Sequence, residues 1–288
     1  MDHIRKRHGI SLRRACKWLD ICPSVYYYQP KERDDRVYRE KLSQWSTFYN
    51  KWGYKKLYDR FREEGYQVNH KRIYRIYTEM GLHLRRKSRK RLRLRPKEGL
   101  LQPLYPNLTW SMDFMHDTLS NGIRFRSFNV IDDFNREALN LTIDTSLPSK
   151  RIIRELDKLI AWRGAPEAIR MDNGPEFIAH DMELWAEDRG IDLKFIQKGK
   201  PNQNGYVERF NRTFREEVLG AFSFRSLKEV KVLSEAWMEV YNNKRPHEAT
   251  KNKPPVKFMQ ERLRGCAPPS FLHDPDNSWE SLVLNVTN

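Results

Sequence analysis

At 288 residues, 39% of them apolar and with 8 Trp, 13 Tyr and 14 Phe, the chain can form two or three domains and bury a sizeable core, which excludes a disordered tail. No apolar run approaches the roughly 18 residues of a transmembrane helix, and "MDHIRKRHGISLRR" lacks the apolar centre of a signal peptide, so a cytoplasmic protein without a membrane partner is expected. The formal charge of +16 is uneven: residues 1–100 hold 28 Lys/Arg and 11 Asp/Glu, a balance of +17, and the remainder is near neutral at −1.

Basic charge concentrated in the first third is an electrostatic footprint for a polyanion, most often nucleic acid. Cys16, Cys22 and Cys266 are too few and too irregular for a disulfide framework. His3 and His8 add zinc-ligand atom types, but His-x4-His followed by Cys-x5-Cys is not a usual zinc spacing, and buried or free thiols are the plainer reading.

In chain order, Leu12, Ala15, Cys16 and Leu19 recur at helical spacing before Cys22-Pro23-Ser24 breaks the helix, outlining a small helix-turn-helix segment over 1–44. A clearer unit spans 45–83. Leu57 and Phe61 form one apolar stripe, Gly65 ends that helix, Asn69 can cap the next, Ile73, Ile76, Tyr77 and Met80 turn inward, and Gly81 stops it. Lys71, Arg72 and Arg75 then lie on the open face, suited to a phosphate backbone, although a solvated basic face of a helical bundle has the same pattern. In the basic linker at 84–103, nine of the thirteen residues from Arg85 to Lys97 are Lys or Arg. Arg85, Arg86, Lys87, Arg89, Lys90 and Arg91 are therefore candidate DNA contacts, since such density self-repels until phosphates neutralise it.

From 104 to 265 the pattern changes. Three strands are expected in "TWSMDFMHDTL", "RFRSFNVIDDF" and "REALNLTID", followed by an amphipathic helix in "SKRIIRELDKLIAWRG". Then come a strand "EAIRMD", a helix "EFIAHDMELWAEDRG", a strand "IDLKFIQ" and a helix from Tyr206 to about Gly220, with two further helices near 226–242 and 254–263 and a tail at 266–288. This order describes an α/β fold, a ribonuclease H-like mixed five-stranded sheet with flanking helices, preceded by all-α helix-turn-helix units.

Three acids fall where such a sheet presents them at one edge. Asp113 sits inside the first strand amid large apolar residues, where a charge is costly without a partner or metal. Asp172 ends a strand before an Asn-Gly turn, and Glu208 begins the helix after the last strand. On that helix Val207, Phe210, Phe214 and Val218 make the buried stripe, while Glu208, Arg212 and Arg215 share a polar stripe within about 60°. Arg212 and Arg215 are thus candidate DNA contacts, and Arg209 points elsewhere. Asp132 and Asp133 compete as ligands but read as strand-end and turn acids. Carboxylates suit Mg²⁺ or Mn²⁺, and a pair of such ions roughly 3.5–4 Å apart can activate a water or 3′-hydroxyl against a phosphorus.

Between Asp172 and Glu208 lie 35 residues. With "WSMDF", "VIDDFNRE", "PEAIRMDNGPEF", "FIQKGKPNQNGYVERFNRTFREE" and "YNNKRPHEATKNKPPVKF", that spacing resembles the D,D-35-E transposase and retroviral integrase superfamily, and within it the B-frame (OrfB) transposases of bacterial insertion sequences. The likeness runs from about residue 45 to 262. It implies that Asp113, Asp172 and Glu208 are catalytic metal ligands, that Arg215 contacts DNA at the transposon end, and that Asn173, Gly174, Asn204 and Gly205 shape the active-site loops.

The same resemblance implies a polynucleotidyl transferase that cuts insertion-sequence ends and transfers the 3′-hydroxyl to target DNA, working on terminal repeats in the bacterial nucleoid as a homodimer or larger synaptic complex. An A-frame protein is an implied fusion or partner, with this chain as the B portion. A ribonuclease H-like nuclease that does not join, or an inactive DNA-binding regulator, are the competing expectations.

Overall fold

The computed structural model describes residues 2–29, 34–84, 100–197 and 201–265. The linker candidates Arg85, Arg86, Lys87, Arg89, Lys90 and Arg91, and the tail at 266–288, lie outside the described residues. The chain divides into two compact units, Met1–Lys41 and Leu42–Asn288.

The first unit carries α1 (Asp2–His8), α2 (Leu12–Trp18) and α3 (Pro23–Tyr27). Ser11 caps α2 by accepting from the Arg14 amide, and Ala15 and Cys16 are buried as their spacing predicts. The polar sequence of α1 gives no periodic sign of a helix. Long-range contacts hold it: the Tyr26 hydroxyl donates to Asp2 at 2.6 Å, and Arg5 donates to that hydroxyl at 3.1 Å. Cys16 is buried and Cys22 exposed, with no disulfide between them.

After α4 (Arg36–Phe48), α5 (Tyr54–Glu63) and α6 (His70–Glu79) form the expected helical pair. Asn69 caps α6 by accepting from the Lys71 amide at 2.8 Å, and Gly65 and Gly81 end the two helices at φ +85° and +67°, conformations that glycine adopts without Cβ strain. Leu57, Phe61, Ile73, Ile76 and Tyr77 are buried between them. Lys71 is exposed, Arg72 partly so, and Arg75 pairs with Glu79 one turn on.

The sheet contains β1 (Thr109–Thr118), β2 (Arg124–Asp132), β3 (Ala138–Asp144), β4 (Ala168–Met171) and β5 (Asp192–Phe195), in the order β3-β2-β1-β4-β5. β1 is antiparallel to β2 and parallel to β4, which is parallel to β5. Alternation along the central strands divides the core. Trp110, Met112, Phe128 and Val130 face α7 (Ser149–Arg163) and α8 (His180–Asp188). Met115, Phe125, Ile131 and Ile143 face α9 (Gly205–Phe214) and α10 (Leu227–Asn243). Because side chains alternate with period two, Asp113 falls on the α9 side.

Two boundaries differ from the sequence reading. α8 begins at His180 rather than near Glu176, because Phe177 is wholly buried and stacks on Phe114 at 4.8 Å, which holds 174–178 as a turn. The helix expected to run to Gly220 is α-helical only to Phe214; Arg215–Leu219 form a π-helical turn closed by the Gly220 amide on the Arg215 carbonyl at 2.7 Å. π turns of this kind are frequent at functional sites. α11 (Pro255–Gly265) completes the described fold.

Asp132 and Asp133 are structural acids. Asp132 accepts from the amides of Phe134 and Asn107 at 2.9 and 3.1 Å and meets Arg163, whose guanidinium also binds Glu137 at 2.7 Å. Asp133 pairs with Arg170 at 2.7 Å. "VIDDFNRE" is therefore a buried ionic clamp between the β2–β3 turn and the end of α7.

Candidate active site

Asp113 pairs with Asn129 across β1 and β2. On the other side β1 runs parallel to β4, with Ser111 and Arg170 the last aligned pair, so Asp113 and Asp172 each lie two residues beyond it at the same end of the two strands. Asp172 follows directly on β4, and Gly174 donates its amide to Asp172 Oδ1 at 3.1 Å. A Cβ at Gly174 would itself lie 3.1 Å from Oδ1, so a larger residue there would press on that carboxylate. Asn173 donates to the Ile196 carbonyl at 3.0 Å, tying the turn to the end of β5.

Glu208 arrives from the second side. In the loop before α9, Gln203 accepts from the Gln197 amide at 2.8 Å. Buried Asn204 donates to the Met112 carbonyl at 3.2 Å, which pins the start of α9 one residue from Asp113. Gly205 follows, 3.6 Å from the Leu100 side chain at its Cβ position. Val207, Phe210 and Phe214 are buried, so Glu208 is turned along the helix edge, half-buried.

Electrostatically the three acids form one group. Burial pushes Asp113 up to about 6, and the charges of Asp172 and Glu208 push in the same direction, against hydrogen bonds from the Phe114 amide and Asn211. Among the described residues no three His, Cys, Asp or Glu side chains are already gathered at metal-binding distance. The donor set nonetheless fits a hard divalent cation: it is all carboxylate oxygen, partly desolvated and mutually repelling, which is the condition a cation relieves.

Sequence reasoning misses the layer behind Asp113. Asn211 is buried, donates to Asp113 Oδ2 at 2.8 Å and accepts from Asn129 at 2.6 Å. Its position three residues after Glu208, on the same helix edge, is the signal that could reveal it. Arg212 is exposed on that edge. Arg215 donates to the His116 carbonyl at 3.2 Å and lies 3.8 Å from Asp117, with half its side chain exposed, so it crosses the far end of the Asp113 strand.

The repulsion makes a stability prediction. A carboxyl held near 6 against 3.8 unfolded destabilises the native state above pH 6, and the penalty fades as pH falls through 6 toward 4. Without divalent cation, Asp113→Asn should therefore raise stability by about 1–3 kcal/mol at pH 7.5 and by much less at pH 4.5, read from urea unfolding. An equal gain at both values would contradict the placement of that charge.

The chain is similar to known proteins in both sequence and fold. Models described as "Integrase core domain" match residues 104–201 and 189–255, and one described as "HTH-like domain" matches 32–91. The chain is 38% identical over 273 residues to the insertion element IS407 uncharacterized 31.7 kDa protein of Burkholderia multivorans, covering 94% of this chain and 99% of that one. It is 35% identical over 250 residues to the insertion element IS476 uncharacterized 39.2 kDa protein of Xanthomonas euvesicatoria, covering 86% and 72%. In fold it is similar to a chain of the simian T-cell lymphotropic virus intasome in complex with PP2A regulatory subunit B56 gamma, at a TM-score of 0.51 and 18% identity over 71% of each. The chain belongs to the insertion-sequence transposases, as an OrfB-type member of the D,D-35-E transposase and integrase superfamily.

Proposed function

We propose that this chain is a polynucleotidyl transferase that cuts DNA at insertion-sequence ends and joins the freed 3′-hydroxyl to target DNA, with Asp113, Asp172 and Glu208 as its catalytic carboxylates. The observation that carries the reading is the convergence of these acids from β1, the end of β4 and α9, close enough for two of them to raise the third.

Asp113, Asp172 and Glu208 would hold Mg²⁺ or Mn²⁺, as two ions per site. When bound, such ions supply activation of the attacking oxygen and stabilisation of the leaving one. The chain's own residues supply the positioning. Asn211 and the Phe114 amide orient Asp113, the Gly174 amide orients Asp172, and Asn204 fixes the start of the helix that carries Glu208. Arg212 and Arg215, on the same helix edge as Glu208, would meet the backbone of the DNA end beside the acids.

Lys71, Arg72 and Arg75 on α6 would meet the DNA backbone, together with Arg85, Arg86, Lys87, Arg89, Lys90 and Arg91. Holding two ends at once requires at least a dimer on DNA, with an A-frame partner or fusion contributing to end recognition. No helix among the described residues is long and apolar enough to cross a membrane. A terminal-repeat duplex incubated with Mg²⁺ should yield both a nicked end and a joined product; hydrolysis without joining would identify a nuclease instead. Reversing the six linker charges should lower the log–log salt slope of DNA binding by up to about 5, and an unaltered slope would remove the linker from the interface.

A further inference from the structure

α9 has a second working side. Counted at 100° per residue, Tyr206, Arg209 and Thr213 fall roughly 100–160° around the helix from Glu208. There they line a cavity of about 220 Å³ together with Lys56 of α5, Arg136 of the β2–β3 turn, and Arg245, His247 and Glu248 beyond α10. Four cationic side chains face one lining carboxylate, Glu248.

Two of the cations are already committed. Arg245 grips Glu217 through Nε and Nη2 at 3.0–3.3 Å. Arg136 lies 3.3 Å above the Tyr206 ring and donates to the Asp133 carbonyl. The other two are not: among the described residues, the Lys56 ammonium and the Arg209 guanidinium have no hydrogen-bond or ion-pair partner, and Lys56 is half-buried. Burial, and then Arg245, hold Lys56 down to about 8. His247 is held well below its ordinary value by burial and the same cations, and its Nε2 donates toward the Tyr241 carbonyl at 3.4 Å. Two cations without a hydrogen-bonded partner, backed by Arg136 and Arg245 and walled by Tyr206 and Tyr241, outweigh the nearby carboxylates Glu216, Glu217 and Glu248 at close range and describe a pocket suited to an anion.

We propose that this cavity binds a backbone phosphodiester of duplex DNA on the side of α9 away from the acids. The choice of DNA rests on the strand-transfer reading and on the position of Lys56, which sits on the first helix of the helix-turn-helix pair. A phosphate there would link duplex held by that pair to the helix that carries Glu208. The clustering of arginine and histidine in "NNKRPHEAT" is then explained, since that stretch turns beyond α10 to form the cavity wall.

The test uses the full chain without divalent cation, so that binding is read apart from catalysis. Lys56→Gln and Arg209→Gln remove charges that no described residue pairs with and should melt like wild type. Each should weaken binding of a terminal-repeat duplex about 5- to 20-fold at moderate salt and lower the log–log salt slope by about 1, by fluorescence anisotropy. Inorganic phosphate should raise the melting temperature of wild type and not of Lys56→Gln. Unchanged DNA affinity and slope in both variants would overturn the proposal while leaving the catalytic reading intact. If phosphate stabilisation were lost but DNA binding unchanged, the ligand would be a small free anion, and the DNA assignment would be overturned.

Discussion

Glu208→Gln is expected to abolish DNA cleavage and joining while leaving DNA affinity within about twofold of wild type. The substitution keeps the size and hydrogen-bonding length of the side chain but removes one of the three charges able to hold a cation. Metal-ion charge stabilisation of a phosphoryl transition state is worth several kcal/mol, so the rate should fall on the order of 10³-fold or more. Because Glu208 lies at the edge of α9 with its buried neighbours Val207 and Phe210 untouched, folding should be unaffected. Single-turnover joining measured beside anisotropy separates the two effects. Joining at wild-type rates would remove Glu208 from the site, and a parallel loss of binding would recast it as a DNA contact.

The second large effect lies away from the acids. Arg163 has 5% of its side chain exposed and neutralises Asp132 and Glu137, themselves 0% and 6% exposed. Arg163→Met fills similar space yet leaves two carboxylates buried without a cation. Removing one partner of such a group costs about 3–5 kcal/mol. At roughly 2–4 °C per kcal/mol for a chain of this size, the melting temperature should fall by about 6–20 °C. Adding Asp132→Asn and Glu137→Gln should recover part of the loss, since the uncompensated charges are then gone. A variant as stable as wild type would show that the clamp is solvated.

These two residues also show what the sequence makes legible. Glu208 is readable because local rules converge on it: an apolar stripe fixes the helix phase, a Gly- and Asn-rich loop fixes its start, and the spacing from Asp172 falls in a known pattern. Strands β1 to β3 are readable from alternation, and α6 from its Asn69 cap.

Arg163 reads only as the basic last turn of an amphipathic helix. Its burial comes from a turn some 30 residues earlier, and no local pattern encodes that. Asn211 has the same character: a polar residue on a helix looks solvated until the pairing of Asp113 with Asn129 brings a sheet face against it. The start of α8 is set by the stacking of Phe177 on Phe114, a contact between elements distant in sequence. The cavity behind α9 depends on four segments meeting, and Arg209 alone gives no hint of it.

The most direct measurement is the joining reaction itself, followed with a labelled terminal-repeat duplex, wild-type chain, and Mg²⁺ or EDTA. The account predicts joined product with Mg²⁺ and none with EDTA, with the product lost equally in Asp113→Asn, Asp172→Asn and Glu208→Gln. Joining that persists in EDTA or survives any one of the three substitutions would contradict a carboxylate-held metal site.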